Sequence, residues 1–235
     1  MPASDPTHRI PPRFDACRAI VFDLDGTLID SYDAIAESLN TALESLALEA
    51  MPREQIRTMV GRGLESLVES ALRRGGAEAP ESLVREGVRL FRAHYDRICV
   101  DGTRLLPGVS LTVPELARRG YRMAVATNKP SCFARRLLDA LGIGDHMGAV
   151  FGPDLVRHPK PDPGMVHAAM RELGVSAAEA VYVGDMEIDV QTARAAGLGV
   201  IVMPTGSSAR DALEASGADH VADSFTSLLD LLPGA

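Results

Sequence analysis

Short apolar runs recur along the chain and alternate, in its second half, with stretches in which apolar residues follow helical spacing. Each run is apolar at nearly every position, which is typical of strands buried on both faces of a parallel sheet. The predicted strands are the run that begins at Ala19 and five later runs, at 122–128, 148–152, 180–185, 199–204 and 220–223. The predicted helices lie at 109–119, 131–141, 163–174, 187–196 and 207–216. Right-handed connections between such strands predict an α/β fold with a Rossmann-like, doubly wound parallel sheet.

Residues 31–104 depart from this alternation, because apolar residues there follow helical spacing and no strand is evident. Glycines and a proline divide the stretch into several predicted helices. We therefore expect three parts: an N-terminal arm over residues 1–15, an α/β core over 16–30 and 105–235, and a helical subdomain inserted over 31–104.

Composition and charge narrow the possible partners. The 235 residues are 46% hydrophobic, which suits a buried core, and the formal net charge of -8 disfavours nucleic acid and anionic membranes as partners. No apolar stretch approaches the roughly 20 residues that span a bilayer. We expect a cytoplasmic protein, a monomer or homodimer, that acts on a small molecule.

Three carboxylates follow predicted strands. Asp23 and Asp25 end the first strand, in the sequence AIVFDLDGTLIDS, and Asp185 ends the strand predicted at 180–185. Parallel strands carry these side chains to one edge of the sheet, where ligands of doubly wound folds bind. An oxygen-rich site of this kind suits Mg²⁺, which takes one or two carboxylates and completes its shell with water and substrate phosphate.

Two further residues at this edge indicate a phosphate ligand. Thr127 follows the strand at 122–128, and Lys160 lies in the proline-rich loop RHPKPDP. A hydroxyl and a compact positive charge suit a phosphate monoester. Only two of the 24 basic residues are lysines, Lys129 and Lys160. A candidate motif holds each of them, although Lys129 is equally well interpreted as a surface residue.

The spacing of DxDGT suggests a division of labour between its carboxylates. Asp23 is placed to attack phosphorus as a nucleophile. Gly26 permits a sharp turn that directs Asp25 toward the leaving oxygen, where it can act as general acid and then as general base. An Asx-turn or a helix cap is the ordinary explanation for a single aspartate at a strand end, but not for the whole set.

The segments DLDGT, TN, the Lys160-Pro161 pair and GDMEID, taken in order, resemble the four motifs of the haloacid dehalogenase superfamily of phosphohydrolases. The helical insertion resembles the cap of that superfamily, which closes over the active site. The resemblance implies an enzyme, a phosphoric monoester hydrolase that uses Mg²⁺ and forms a phosphoaspartyl intermediate.

The resemblance also implies a role for each residue of the motifs. It implies that Asp23 is the nucleophile and a metal ligand, and that Asp25 is the acid and base and binds the metal through its main-chain carbonyl. The remaining roles are metal binding by Asp185, support of Lys160 or of the metal's water shell by Asp189, and phosphate or substrate binding by Lys160, Gly26, Thr127 and Asn128.

Several segments are most similar to the phosphoglycolate phosphatase-like subgroup, among them VGRGLESLVESAL and YVGDMEIDVQTARAAG. That similarity implies 2-phosphoglycolate as the substrate. Arg62, in the GRG segment of the insertion, would then meet the substrate carboxylate, although a solvated arginine is an equal interpretation. Met186 departs from the family pattern, which often has a serine or threonine at that position.

Alternatives remain open at this point. A phosphomutase of the β-phosphoglucomutase type, another sugar or small-metabolite phosphatase, or a pyrophosphatase of the same superfamily would use the same nucleophile. A receiver-type signalling module also accepts phosphate on an aspartate beside Mg²⁺, but such modules are single domains of about 120 residues and need no helical insertion.

Overall fold

The computed structural model describes Phe14 and residues 16–235. The predicted N-terminal arm, residues 1–15, therefore lies outside the described residues except for Phe14.

Six parallel strands form the central sheet, in the order β5-β4-β1-β6-β7-β8. Neighbours of β1 on both sides come later in the chain, so the sheet is doubly wound and the predicted fold class is confirmed. The eight strands of the described residues are β1 (Ala19–Phe22), β2 (Ile29–Asp30), β3 (Arg104–Leu105), β4 (Arg122–Ala126), β5 (Met147–Phe151), β6 (Ala180–Gly184), β7 (Gly199–Val202) and β8 (His220–Val221).

The described residues also form ten α-helices and four short 3₁₀ helices. The α-helices are α1 (Tyr32–Ser45), α2 (Arg53–Arg57), α3 (Leu64–Arg74), α4 (Glu81–Ile98), α5 (Val109–Arg118), α6 (Ser131–Ala140), α7 (Gly164–Leu173), α8 (Glu187–Ala196), α9 (Arg210–Ala215) and α10 (Leu228–Leu231). The 3₁₀ helices are Gly144–His146, Pro153–Leu155, Ala177–Glu179 and Phe225–Ser227.

Alternate residues of the buried strands face two separate cores. In β1, Ile20 and Phe22 join the core to which α5, α6 and α10 contribute, whereas Ala19 and Val21 join the core formed with α7, α8 and α9. The strands are apolar throughout because both of their faces are covered, as the sequence pattern predicts. The first core continues without interruption into the apolar faces of α1–α4.

The segment between β2 and β3 is entirely helical in its regular structure, as predicted. Helix α4 packs against α1 and α3, and α2 packs against α1. The antiparallel pair β2–β3 joins the two ends of this segment, and the Arg104 guanidinium binds the Asp30 carboxylate at 2.7 Å across it. Strands of two residues leave no periodicity in a sequence, so this pair was not predicted.

One predicted helix is shorter than expected. The pattern places a helix over 207–216, but α9 begins at Arg210. The main-chain N–H of Ser207 instead donates to the Asp185 carboxylate at 3.0 Å, so the first residues of the expected helix belong to a loop at the sheet edge. Among the helices of the described residues, none combines the length and the apolar character needed to cross a bilayer.

Candidate active site

The ends of three adjacent strands bring the predicted residues together. Strand β1 lies between β4 and β6 in the sheet. The loops that follow these strands carry Asp23 and Asp25, Thr127 to Lys129, and Asp185, respectively. The loop after β5 adds Lys160, so residues more than 130 positions apart in the chain meet at one carboxyl edge, the usual ligand-binding edge of a doubly wound sheet.

Lys160 lies at the centre of the buried charges. Its Nζ is 2.8 Å from Asp23 Oδ1 and 2.7 Å from Asp189 Oδ1, and its side chain is 1% exposed. It also donates to the hydroxyl of Tyr182 on β6 at 3.1 Å, and that hydroxyl donates to the Ala126 carbonyl at the end of β4. The ammonium is therefore held by contacts from three sides.

The charges of this group shift one another's pKa values. Burial alone would lower the pKa of Lys160, but the carboxylates of Asp189 and Asp23 raise it well above its usual value, so Lys160 is a permanent cation. Burial raises the pKa of Asp23 to about 6, although Lys160 acts in the opposite direction. The pKa of Asp185 is raised well above its usual range by burial and by repulsion from Asp189 and Asp23.

Asp189 is already fully engaged with protein groups. Its Oδ2 accepts the main-chain N–H groups of Asp185 and Met186, both at 3.0 Å, while its Oδ1 faces Lys160. A Cβ atom on Gly184 would lie 2.4 Å from Asp189 Oδ2, so only glycine lets the strand approach this closely. Asp189 thus ties the end of β6 to Lys160.

Asp185 is enclosed by main-chain groups and hydroxyls. Its Oδ1 accepts from the Thr27 hydroxyl at 3.1 Å, and its Oδ2 accepts from Ser207 N at 3.0 Å. A Cβ atom on Gly206 would lie 1.8 Å from Oδ2, and one on Gly26 would lie 2.6 Å from it. Gly26 has a φ of 87°, so the DxDGT turn needs glycine for both its backbone and its space.

Asp23, Asp185 and Asp189, here called the carboxylate cluster, suit a divalent cation. One oxygen from each lies within 4.8 Å of the others, and all three residues are buried. Lys160 compensates only one of the three negative charges. Although Lys160 is close to Asp23 Oδ1, the approach is an ion pair without a directed hydrogen bond, which leaves that buried oxygen available. Hard carboxylate oxygens of this kind are ligands for Mg²⁺ and similar ions.

Asp25 points to a second positive group. Both of its oxygens accept from Lys129 Nζ, at 2.9 and 3.0 Å, and the Ser31 hydroxyl donates to Oδ1 at 2.5 Å. The Lys129 side chain is only 6% exposed, and its Nζ lies 4.9 Å from the centre of the Tyr95 ring. Burial alone would lower the pKa of Lys129, but Asp25 raises it above its usual value. A surface position for Lys129, one of the two predicted interpretations, is wrong.

Asn128 holds the loop of Lys160 and contacts the helical insertion. Its Oδ1 accepts from Lys160 N at 2.9 Å, and its Nδ2 donates to the Gly61 carbonyl at 3.0 Å. Met186 packs against the loop that contains Gly61. A Cβ atom on Gly61 would lie 2.2 Å from the Met186 sulfur atom. The GRG segment therefore lies directly against the sheet edge.

A cavity of about 60 Å³ lies between the sheet edge and the helices α1, α3 and α4. One water molecule needs about 10–15 Å³, so this helix-lined cavity has room for a small ligand. Its polar lining consists of Asp23, Asp25, Thr127, Asn128 and Lys129, and its apolar lining includes Ile35, Leu64, Leu67, Phe91, Tyr95 and Phe133. Polar groups on one side and apolar walls on the other are typical of small-molecule sites.

Five candidates do not line this cavity: Gly26, Lys160, Asp185 and Asp189 are buried outside the lining, and Arg62 is exposed. Gly61 and Gly63 line it, whereas Arg62 between them is exposed and is not part of the lining. The residues that sequence analysis missed are Thr27, Ser31, Tyr95, Tyr182 and Ser207. Only Ser207 carried a detectable signal, since the segment PTGSS follows a predicted strand at the same edge of the sheet.

The fold and the site define an α/β enzyme whose active site lies at the carboxyl edge of its sheet. The family model described as haloacid dehalogenase-like hydrolase matches residues 20–203. The chain therefore belongs to the haloacid dehalogenase-like hydrolase family, as its motifs predicted.

Individual proteins agree with this assignment. A phosphoglycolate phosphatase of Pectobacterium atrosepticum is 38% identical over 217 residues, which cover 92% of this chain and 93% of that protein. A phosphoglycolate phosphatase of Rhodospirillum rubrum is 38% identical over 219 residues, covering 92% and 90%. The crystal structure described as a predicted phosphoglycolate phosphatase from Haemophilus somnus superposes with a TM-score of 0.85 at 29% identity, covering 92% of this chain and 98% of that one.

Proposed function

We propose that this enzyme is a Mg²⁺-dependent phosphatase that hydrolyses 2-phosphoglycolate through a phosphoaspartyl intermediate. The observation that carries the proposal is the position of Lys160, which is 2.8 Å from Asp23 and 2.7 Å from Asp189 beside a cavity that Asp23, Asp25 and Thr127 line. A permanent cation beside a buried carboxylate, with a hydroxyl from the next strand, suits binding of a phosphoryl group.

Asp23 is the proposed nucleophile. Its carboxylate oxygen attacks phosphorus, the bond from phosphorus to the ester oxygen breaks, and the phosphoryl group is left on Asp23. Lys160 offsets the negative charge of the nucleophile and of the phosphoryl oxygens, and Thr127 donates its hydroxyl to one of those oxygens. Asn128, through its bond to Lys160 N, holds the loop that presents the lysine.

Mg²⁺ would be held by the carboxylates of Asp23 and Asp185 and by the main-chain carbonyl of Asp25. When bound, it neutralises the charge of the phosphoryl group and of the carboxylate cluster. Asp189 has the supporting role, because both of its oxygens already bind protein groups. This division accounts for three buried carboxylates beside a single lysine.

Asp25 is the proposed general acid and base. In its protonated form it transfers a proton to the departing alkoxide of the substrate, and as a carboxylate it then takes a proton from water. That water attacks phosphorus, the bond to Asp23 breaks, and inorganic phosphate is released. Ser31 and Lys129 orient the Asp25 side chain, which is 12% exposed and is part of the cavity lining.

Residues 31–104 are the proposed cap, which excludes water during the reaction. The contacts of this region with the core support the proposal: Asn128 binds the Gly61 carbonyl at 3.0 Å, and Arg57 donates to the Thr205 and Gly206 carbonyls at 3.0 and 2.7 Å. In each of these contacts a side chain donates to a main-chain carbonyl, so the contacts can break and reform without rearranging the core.

The relatives support 2-phosphoglycolate as the substrate. Two proteins named phosphoglycolate phosphatase are each 38% identical to this chain over 92% of its length.

The test is a phosphate-release assay on wild type and Asp23→Asn. The substrates are 2-phosphoglycolate, glycerol phosphate, hexose phosphates and pyrophosphate, each with Mg²⁺ and with a chelator. We expect wild type to prefer 2-phosphoglycolate, the chelator to abolish turnover, and Asp23→Asn to lower it by about 10⁴-fold or more. Acid quenching of wild type with radiolabelled substrate should also trap label on the protein.

Each part of the proposal can fail separately. Turnover in Asp23→Asn would contradict the nucleophile, and undiminished turnover with chelator would contradict the metal. A different preferred ester would contradict the substrate, and isomerisation of a hexose phosphate without phosphate release would identify a mutase.

A further inference from the structure

Lys129 is the only positively charged side chain among the described residues that line the helix-lined cavity. Two of its three N–H donors face Asp25, and the side chain is 6% exposed. Burying a lysine is costly unless its charge is compensated, and Asp25 compensates the charge of Lys129. In a chain with 22 arginines and two lysines, the position of this flexible cation inside the cavity calls for an explanation.

Tyr95, on α4, lies beside Lys129 and is also incompletely satisfied. The residue is 1% exposed, and its hydroxyl lies beside the Lys129 ammonium but has no acceptor for its own O–H among the described residues. The Tyr95 ring lies in a stack with Phe91, 5.3 Å between ring centres, and meets the edge of Phe133 at 5.1 Å, so its orientation is set by packing. A buried hydroxyl in a cavity wall without an acceptor of its own can donate to an oxygen of a bound ligand.

We infer that Lys129 and Tyr95 form the subsite for the carboxylate of the substrate, at the end of the cavity away from the phosphoryl group. The inference rests on the proposed function and extends it to the residues that select the substrate. One carboxylate oxygen accepts from the Lys129 ammonium and the other from the Tyr95 hydroxyl. The exposed Arg62 is not needed for this role.

Charge favours a carboxylate over an uncharged group at this position. The cavity is lined by two aspartates and one lysine, and the phosphoryl group of the substrate is compensated by Lys160. Lys129 remains as the only lining cation for a second anionic group. Because Asp23 and Asp25 are two residues apart, a short molecule can place phosphate near one and carboxylate near the lysine bound to the other.

The test compares 2-phosphoglycolate with isobutyl phosphate, in which CH(CH₃)₂ stands in place of COO⁻. The measured quantity is the ratio of kcat/KM for the two esters, which cancels effects common to both. We expect Lys129→Met to lower the ratio about 10- to 100-fold, since it removes a charged hydrogen bond. Tyr95→Phe should lower it about 3- to 10-fold, since it removes only a neutral donor.

Each variant has a matched control in the chain. Arg74→Met removes one positive charge from the exposed end of α3, the helix whose other face lines the cavity. Tyr121→Phe removes a second buried hydroxyl that has no partner among the described residues, but Tyr121 is not part of the lining. Both controls should leave the ratio unchanged.

Two results would overturn the inference. The first is an unchanged ratio in Lys129→Met, with equal losses of activity on both esters, because Lys129 would then act only by positioning Asp25. The second is a wild-type ratio near one. Failure of the proposed function is a different result, namely that wild type with Mg²⁺ hydrolyses neither ester.

Discussion

The two lysines of the chain have opposite environments: Lys160 lies beside the carboxylate cluster, and Lys129 lines the helix-lined cavity. Lys160 has two carboxylates and a tyrosine hydroxyl around it, and nearly every polar atom of the cluster is engaged. Lys129 has one carboxylate and an aromatic ring beside it, and the neighbouring Tyr95 hydroxyl has no acceptor for its own O–H among the described residues. Lys160 is fully enclosed by protein, whereas Lys129 borders the cavity.

Under the proposed function, this difference would separate the chemistry from substrate selection within one site. Groups that stabilise charge in a reaction work best when they are held rigidly beforehand, as Lys160 is by Asp23 and Asp189. Groups that select a substrate must exchange protein contacts for ligand contacts, so some of their hydrogen-bonding capacity stays free. The carboxylates of the cluster lie at or near the end of a strand. The proposed carboxylate subsite instead combines Lys129, in the loop after β4, with Tyr95 on α4 of the helical insertion.

Lys160→Met provides the largest expected effect. Turnover of every phosphate ester should fall about 10³-fold or more, because the cation beside the nucleophile is lost. Loss of one partner of a buried ion pair also costs about 3–5 kcal/mol of stability, so the melting temperature should fall. Steady-state kinetics on several esters and thermal unfolding measure both changes. A loss of activity on only one ester is the pattern expected of Lys129→Met. If Lys160→Met gave that pattern, it would contradict the different roles proposed for the two lysines.

The effect of Asp23→Asn on the stability of the metal-free protein should depend on pH. The pKa of Asp23 is about 6 in the folded protein and 3.8 as its ordinary value, so ionisation costs the native state up to about 3 kcal/mol above pH 6. Below pH 3.8 both states are protonated and the cost disappears. The variant also loses the ion pair with Lys160, so the prediction concerns the difference between two pH values: urea unfolding with chelator should give a stability change that is more favourable to the variant at pH 8 than at pH 4. A pH-independent change would contradict the raised pKa.

Gly26→Ala tests how tightly the cluster is packed. Its Cβ would lie 2.6 Å from Asp185 Oδ2 and from the Tyr32 hydroxyl, at a φ of 87°. Gly142→Ala is the matched control, because Gly142 has a φ of 74° and open space around its Cβ. The control should cost about 1 kcal/mol and Gly26→Ala about 2 kcal/mol more, measured by urea unfolding. Equal losses would mean that only backbone strain matters at Gly26.

Arg57→Met has the smallest expected effect and tests the contact between the helical insertion and the core. It removes the bonds to the Thr205 and Gly206 carbonyls, and it removes the guanidinium 4.8 Å from the centre of the Tyr32 ring. We expect KM for 2-phosphoglycolate to rise about 3- to 10-fold with a smaller change in kcat, because closure is weakened. The control is Arg73→Met, which breaks an exposed ion pair between Arg73 and Glu69, both on α3. It should change neither KM nor kcat.

Most of the core was predictable because its signals are local. Runs such as those of β1, β4 and β6 are apolar at every position only when both faces are covered, and the helices between them keep their own spacing. The motif residues Asp23, Thr127, Lys160 and Asp185 also followed from sequence, since each comes directly after a strand or in a proline-rich loop. Parallel strands necessarily deliver such residues to a common edge.

The chain by itself determined the strands, the helices and the set of groups that meet at the edge of the sheet. Tertiary structure decided which of the groups are satisfied and which are free: Asp189 is fully engaged, the Tyr95 hydroxyl has no acceptor among the described residues, Arg62 is exposed and Lys129 is buried. The physical reason is that burial and hydrogen bonding depend on which helix covers which loop. Those contacts join residues far apart in the chain, and no local spacing encodes them.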